Sequence, residues 1–495
     1  MHLVQWDVET GGVLLVDGDK RGTTRGELRP VFYEELDLLG LDKFWEYPRG
    51  IEPLLWAGPQ RYYYYRGERV ARASGGGLYV PPKVDAQQGL KLEPIDVVGC
   101  LEKNAAPLAL LEEQSLGFIR DTYEQFKDAV DASYVAFSGG KDSVVVLDLV
   151  QKALLSAQFH VVFEDSQMEF QATYEALEAA KQVWPQLTYC TVISDKNTLQ
   201  LWREFGPPSR IHRWCCTVTK LVPFIKHLTV LTGNNAVAAL GFEGSRSSES
   251  AARARRKAVS PHSKHTSLIT ACPILDWNST EIYLHIWKNK LPLNRAYRYG
   301  MSRVGCIICP HSSSWREAIT WMAYPDELEP FINVLRDYAA NNGVIGEDNF
   351  RQYIWQRRWK ARCGGRGVVG SNRVTADKAN GVVHATELRD GWQEWLKILD
   401  DNVLVTENEN GVSLIGKPAD VTRMRAVARK MSYCVKCGTC VVECPTGALQ
   451  MNNGSINIDT ALCSKCGACL TPGGQRLGGC LLAQSVHLTS PKTVV

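Results

Sequence analysis

Between positions 105 and 325 the apolar residues fall into two alternating patterns. Tyr134-Val135-Ala136-Phe137, His160-Val161-Val162-Phe163, and residues 187–193 and 236–242 are short apolar runs with the length and β-branched content of buried strands. Residues 143–154 and 170–183, lying among them, are longer and carry apolar positions at helical spacing. Strands alternating with helices predict an α/β fold, a doubly wound parallel sheet that binds ligands at the carboxyl ends of its strands.

The flanking regions read differently. Residues 1–95 have few helix signals: Leu54-Leu55-Trp56, then Ala57-Gly58-Pro59-Gln60, then residues 61–65 read as strand, turn and strand. Arg66-Gly67-Glu68 reads as a second turn before Arg69-Val70-Ala71. A small N-terminal β-rich module is expected there. Its run Tyr62–Tyr65 fits either a surface that stacks nucleotide bases or an ordinary strand in a small sheet. Residues 326–425 are expected to be a helical and irregular connecting region, with helices over 330–340 and 349–362 and a flexible joint at Cys363-Gly364-Gly365-Arg366-Gly367. Residues 426–495 hold the one internal repeat found, Cys434-Val435-Lys436-Cys437-Gly438-Thr439-Cys440 against Cys463-Ser464-Lys465-Cys466-Gly467-Ala468-Cys469.

Composition adds one anomaly. At about 150 residues per domain, 495 residues suggest roughly three domains. A formal net charge of +3 gives no argument for a nucleic-acid or membrane partner. No apolar run approaches the ~18–20 residues of a spanning helix. The start, Met1-His2-Leu3-Val4-Gln5-Trp6-Asp7, has no signal-peptide pattern, so a cytoplasmic location is expected. The anomaly is 16 cysteines. Without an export signal they favour metal or redox chemistry over disulfides. Eight lie between Cys434 and Cys480, and four more form Cys215-Cys216 and Cys306-x-x-Cys309. Cys100, Cys190, Cys272 and Cys363 stand alone.

After the strand ending at Phe137 comes Ser138-Gly139-Gly140-Lys141-Asp142-Ser143 and then a helix. Glycines let the backbone approach a phosphate, and free N–H groups at the helix start face the anion. Lys141 adds charge, Ser138 and Ser143 add hydroxyls, and Asp142 is placed to orient Mg²⁺. This hexapeptide resembles the pyrophosphate loop of the adenine-nucleotide α-hydrolase-like fold, the family of ATP pyrophosphatases and of phosphoadenosine-phosphosulfate (PAPS) and adenosine-phosphosulfate (APS) reductases. The resemblance continues in order. Phe163-Glu164-Asp165-Ser166 stands where the family has an acidic loop facing the nucleotide. Gly244-x-Arg246-x-x-Glu249-Ser250-x-x-Arg253, Pro273-Ile274-Leu275-Asp276-Trp277 and Arg303-Val304-Gly305-Cys306-x-x-Cys309-Pro310 resemble reductase elements. It implies that Asp165, Gly244, Arg246, Glu249, Ser250 and Arg253 belong to the nucleotide site of a domain over 105–325. The segment 246–265 is strongly basic, through Arg246, Arg253, Arg255, Arg256, Lys257 and Lys264, with Glu249 its one acid. Arginine forks suit sulfate or phosphate, whereas a charge run can also be a solvated face.

Cys215-Cys216-x-x-x-Lys220-x-x-Pro223 also resembles a reductase element. In APS reductases such a pair shares a [4Fe–4S] cluster with the later C-x-x-C, here Cys306 and Cys309. Four thiolates also suit structural zinc. Lys220 is placed either to balance a cluster's negative charge or as a surface lysine.

Cys434-x-x-Cys437-x-x-Cys440-x-x-x-Cys444-Pro445 is the bacterial ferredoxin run, in which the fourth cysteine crosses to the other cluster. Cys434, Cys437 and Cys440 should then share one cluster with Cys480, and Cys463, Cys466 and Cys469 the other with Cys444. The interval from Cys469 to Cys480 is wider than the usual three residues.

These resemblances imply an iron–sulfur oxidoreductase of sulfate assimilation with three [4Fe–4S] clusters. It would reduce PAPS or APS to sulfite and an adenosine phosphate. Electrons would come from an external low-potential donor through its own ferredoxin unit, in a chain that is a monomer or homodimer. The chain departs from the family in ending Ser490-Pro491-Lys492-Thr493-Val494-Val495, without the glutamate-cysteine-glycine tail. Cys363 is the candidate replacement nucleophile, or a surface thiol. The intact hexapeptide also suits ATP-dependent, Mg²⁺-assisted sulfur insertion into tRNA or the DNA backbone, with nucleic acid as partner. A redox sensor or electron carrier is the third reading.

Overall fold

The structure, a computed structural model, describes all residues except 1, 19–23, 211, 234–236, 262–266, 361–372, 453, 471–479 and 482–495. The chain forms two compact units. The first holds Met1–Glu164, Met168–Thr191 and Ala236–Glu329, and the second Asp165–Gln167, Val192–Asn235 and Pro330–Val495.

The first unit is built on a six-stranded sheet. Its order is Tyr189–Ile193, His160–Asp165, Ala132–Phe137, Ala239–Phe242, Leu268–Ala271, Val259–Pro261. Ala132–Phe137 pairs in parallel with His160–Asp165 on one side and Ala239–Phe242 on the other. Val259–Pro261 is an antiparallel edge. The sheet therefore changes winding direction beside Ala132–Phe137, which puts a ligand crevice at the carboxyl end of that strand. The helix Lys141–Ala153 begins there at once, and every residue from Lys141 to Val150 is buried. That explains its almost unbroken run of valine and leucine. Each such side chain contributes about 1.5–3 kcal/mol by leaving water. A 22-residue helix, Ala105–Phe126, packs against that helix and has no counterpart among the sequence expectations. Its buried stripe includes Ser115 and Thr122, which weaken the apolar signal.

The N-terminal residues are strand-rich as expected. They form a three-stranded sheet and a five-stranded antiparallel one, ordered Arg29–Val31, Leu55–Ala57, Tyr62–Tyr65, Glu68–Gly77, Val80–Ala86. They pack within the first unit. Arg29 donates to both oxygens of fully buried Glu35, and the Tyr63 hydroxyl donates to Oε1 of the same carboxylate at 2.7 Å. The tyrosine rings are engaged inside the module. Tyr63 is buried, Tyr64 stacks on Trp6 at 5.0 Å, and Tyr62 lies under Arg69 and Arg72 at 4.8 and 5.0 Å. The ordinary-strand reading of this run thus fits better than base stacking.

The second unit contains a four-stranded antiparallel sheet, ordered Val374–Asp377, Val382–Ala385, Gly411–Ile415, Leu404–Asn408, under the helix Val421–Tyr433. Residues 326–425 are therefore not only helical and irregular. Only one face of this sheet is covered, so each strand offers few apolar positions, such as Val383 and Ala385 or Val412 and Leu414. The segment 192–235 belongs to this unit as well, carrying the helix Thr198–Phe205, a π-helical turn Cys216–Leu221 and the helix Val222–Thr232. Packing therefore cuts across the sequence order expected for 105–325. Among the described residues no helix is long and apolar enough to cross a membrane.

Candidate functional site

The hexapeptide closes on itself at the end of its strand. The Ser143 hydroxyl donates to the Gly140 carbonyl at 2.8 Å and accepts from the Ser138 N–H at 3.1 Å. Asn294 donates to the Gly139 carbonyl at 3.1 Å. Behind the loop lies a buried charge cluster. Asp142 accepts from Lys141 Nζ at 2.7 Å on one oxygen and from Arg246 Nε at 2.7 Å on the other. Lys141 and Arg246 are 1% and 3% exposed. Burial pushes the Asp142 carboxyl up, but the two cations outweigh it and hold the pKa below the usual range. Burial pushes Lys141 down despite Asp142. With both oxygens held by cations, Asp142 is not presented to Mg²⁺ as the sequence suggested.

Arg246 is a clamp. Its Nη1 also donates to Ser248 Oγ at 2.9 Å and to Glu27 Oε1 at 3.3 Å. Glu27 comes from the N-terminal module, and nothing in the linear pattern pointed to it. Gly244 brings this segment against the hexapeptide. A Cβ there would lie 2.8 Å from the Asp142 carbonyl carbon and 2.9 Å from the Ser143 nitrogen, both backbone atoms that cannot turn aside. Glu249 accepts from the Arg246 N–H at 3.2 Å and pairs with Arg253, and Ser250 Oγ accepts from the Arg253 N–H at 3.2 Å. Glu249 and Ser250 therefore shape the turn that presents Arg253. Burial, with the neighbouring guanidiniums of Arg303 and Arg256, pushes Arg253 down to about 10. Three arginines crowded in this way favour a bound anion.

Tyr297 ties this cradle to the first-unit cysteine pair. Its hydroxyl accepts from the Lys141 N–H at 3.1 Å and from the Val304 backbone N–H. Cys306 and Cys309 follow in a loop held by half-buried Arg316, which donates to the carbonyls of Gly305 and Cys306 and to Ser312 Oγ. Cys306 Sγ lies 3.8 Å from Glu169 Oε1. Tyr297, Arg303, Arg316 and Glu27 were all missed as functional residues by sequence reasoning, although Arg303 stands inside a quoted motif.

Cys215 and Cys216 belong to the second unit. Cys215 is buried, and Cys216 opens the π-helical turn. Such turns recur at functional sites. Cys216 Sγ accepts from Arg213 Nη2 at 3.2 Å. The neighbouring Cys215 holds the Cys216 thiol well below its usual range against burial, helped by Arg213 and Lys220. Asp165 also lies in this unit, where its Oδ1 accepts from the Gln167 N–H at 2.7 Å.

The two cysteine repeats share one backbone shape. Lys436 and Lys465 are left-handed at φ 53° and 52°, and Gly438 and Gly467 at φ 79° and 75°. A lysine at positive φ is uncommon, and here it curls each C-x-K-C-G-x-C loop around its own interior. Cys444, Cys463, Cys466 and Cys469 together line one space whose lining has no carboxylate or imidazole. Among the described residues no three His, Cys, Asp or Glu side chains converge as a single ion requires. Four sulfurs around a space suit a multi-atom cluster. The other four, Cys434, Cys437, Cys440 and Cys480, are the electrostatic neighbours of Lys430, which they hold well above its usual range against burial. Cys363 lies outside the described residues.

Residues 132–312 match the phosphoadenosine phosphosulfate reductase domain, and residues 429–450 match the 4Fe-4S binding domain, which supports at least one 4Fe–4S cluster. An uncharacterized protein of Methanocaldococcus jannaschii is 34% identical over 249 residues, covering 50% of this chain and 49% of that protein. A second from the same organism is 30% identical over 261 residues, covering 52% and 59%. The chain thus spans about half the length of these relatives. Adenosine 5'-phosphosulfate reductase 2 of Bacillus subtilis is 27% identical over 176 residues, covering 35% of this chain and 70% of that one. A solved PAPS reductase from Candida auris aligns at 15% identity and a TM-score of 0.30, covering 38% of this chain and 87% of that one.

Proposed function

On a chain that joins a phosphoadenosine phosphosulfate reductase domain to a 4Fe-4S binding domain, we propose reductive cleavage of APS or PAPS to sulfite. The observation that carries the reading is the crowding of Arg253, Arg256 and Arg303 beside the Lys141–Asp142–Arg246 cluster, with Tyr297 linking that cluster to the Cys306–Cys309 loop. The hexapeptide and helix start would take the phosphate, and the arginines would neutralise the sulfate. Two electrons added at the sulfate sulfur break its bond to the bridging oxygen. The oxygen stays on the adenosine phosphate, the sulfur leaves as sulfite, and the charges balance without a proton. Arg246 positions the loop, and Lys220 compensates charge at Cys216. Three [4Fe–4S] clusters are part of the proposal. One would use Cys215, Cys216, Cys306 and Cys309, and two would use the crossed sets of the C-terminal unit. When bound, they supply one-electron steps from a low-potential donor.

The test is product release from the anaerobically reconstituted chain with a low-potential reductant, comparing APS, PAPS and ATP. Sulfite from one sulfonucleotide is expected. Pyrophosphate from ATP with a nucleic-acid acceptor, and no sulfite, would instead support sulfur insertion. Cys363→Ser tests the nucleophile separately: retained sulfite release removes thiol attack at Cys363 from the scheme.

A further inference from the structure

Lys430 is a buried cation that the cleavage scheme does not use. It sits in the last turns of the helix Val421–Tyr433 and is 4% exposed. Its Nζ lies 4.6 Å from the ring centre of Trp395, itself 2% exposed. Among the described residues no carboxylate stands within ion-pair distance of it. A buried ammonium without a counter-charge is costly, so its surroundings must supply one. Its helix ends at Cys434, whose N–H donates to the Lys430 carbonyl at 3.1 Å, so the first cysteine of the run stands one helical turn beyond Lys430, and Cys437, Cys440 and Cys480 are its further electrostatic neighbours. Cys469, of the other set, has Lys430 as an electrostatic neighbour as well. One residue earlier, Arg429 adds a second positive charge near Cys480.

The two cysteine sets also face different neighbours within this unit. A Cβ on Gly438 would lie 3.0 Å from Val222 Cγ1 and 3.6 Å from Lys226 Cε. Cys437 lines one pocket with Val218, Val222, Pro223 and Lys226. The first loop therefore packs against the helix that continues directly from the Cys216–Leu221 turn. In the second loop Cys466 is exposed, and Lys465 pairs with the fully exposed Asp401.

We propose that Lys430 sets the reduction potential of the cluster held by Cys434, Cys437, Cys440 and Cys480 above that of its neighbour. Electrons then enter through the Cys466 side and run downhill toward the Cys215–Cys216 segment. The physical basis is Coulombic. Reduction would add one electron beside a fixed, desolvated cation, and a charge in such a place acts strongly. The direction of flow rests on the sulfite-forming reading, whereas the potential does not.

The experiment is a potentiometric titration followed by electron paramagnetic resonance, on the reconstituted full chain without substrate. Wild type is compared with Lys430→Met and Lys430→Arg. In the methionine variant the higher of the two ferredoxin-type potentials should fall, its reduction equilibrium shifting at least tenfold, or about 59 mV for a one-electron couple. The lower should move less, and the arginine variant should stay near wild type. If the methionine variant assembles no cluster, Lys430→Gln removes the charge while keeping a polar side chain and is read the same way. Unmoved potentials, an equal shift in both, or an arginine variant shifted as far as methionine would each overturn the proposal. Because no substrate is present, absence of sulfite in the functional assay leaves this measurement intact.

Discussion

Replacing Asp142 by Asn keeps the shape of the residue and removes its charge. The two cations it neutralises, Lys141 and Arg246, are almost wholly buried and lie 2.7 Å from its two oxygens. Breaking a buried pair by removing one partner costs about 3–5 kcal/mol, because the other charge stays buried and unpaired. Here two cations are stranded. Arg246 keeps Glu27 as a weaker partner at 3.3 Å, so the same range is a reasonable expectation for the whole cluster. At roughly 2–4 °C per kcal/mol for a unit of this size, the melting temperature should drop by about 6–20 °C. Near-ultraviolet circular dichroism on the apo chain measures it. The dependence on pH identifies the cause. The Asp142 pKa is depressed in the folded chain, so its contribution is present above the unfolded value of about 3.9 and lost as pH falls through the folded one. Wild-type and variant curves should therefore differ fully above about pH 4 and converge below it. Adenosine phosphates should stabilise the variant at least as much as wild type, since an anion then faces two uncompensated cations. A melting temperature within about 1 °C of wild type at neutral pH would falsify the account of the cluster, given the size of the expected penalty.

Gly244→Ala should cost about 1–3 kcal/mol by overpacking and weaken nucleotide binding by prising the loop from Arg246, which calorimetric titration with an adenosine phosphate would register; unchanged affinity would sink the close-approach argument. Glu112, which accepts from Lys152 and Lys288 at 2.7 Å each, resists a burial that would raise it and is held down to about 2 by those lysines. Its contribution should be complete above about pH 4.5 and lost toward pH 2, so a Glu112→Gln variant should lose its stability deficit across that window; a deficit that persists at pH 2 speaks against it. Cys444→Ser should remove about four irons per chain, one [4Fe–4S] cluster, and spare the signal that Lys430→Met moves. Loss of that signal instead would mean that the pairing is not crossed.

The sheet was legible because its strands are buried on both faces. Ala132–Phe137 and Ala239–Phe242 carry apolar residues at almost every position, and helix Lys141–Ala153 does the same, so burial and sequence pattern coincide. The sheet over 374–415 was not legible, because one face is open and its strands mix Thr, His, Ser and Glu with few apolar residues. Residues 105–126 failed for a related reason: a stripe of Leu108, Leu111, Ser115, Ile119 and Thr122 is helical in spacing but not uniformly apolar.

The same distinction separates the parts of the candidate site. The hexapeptide and the cysteine repeats are local, their residues separated by a few positions, so spacing alone reveals them. What holds them in place is not local. Glu27 reaches Arg246 across 219 positions, Tyr297 reaches Lys141 across 156, and Asp142 reaches Arg246 across 104. Glu27 and Tyr297 have no unusual residue type or spacing and become visible only when the fold supplies the contact; Asp142 and Arg246 stand in motifs, but their pairing becomes visible only in the fold. The consequence is physical as well as diagnostic. Lys141 is recognisable in sequence as a phosphate-binding lysine, yet in the folded chain its ammonium is committed to Asp142, and Asp142 is committed to Arg246. An arriving anion therefore does not meet a free lysine. It meets a cluster with one carboxylate between two cations and three further arginines nearby, and it competes with Asp142 for charge that is already shared. Binding strength at this loop is thus set as much by the Arg246 segment and the N-terminal module that steadies it as by the hexapeptide itself.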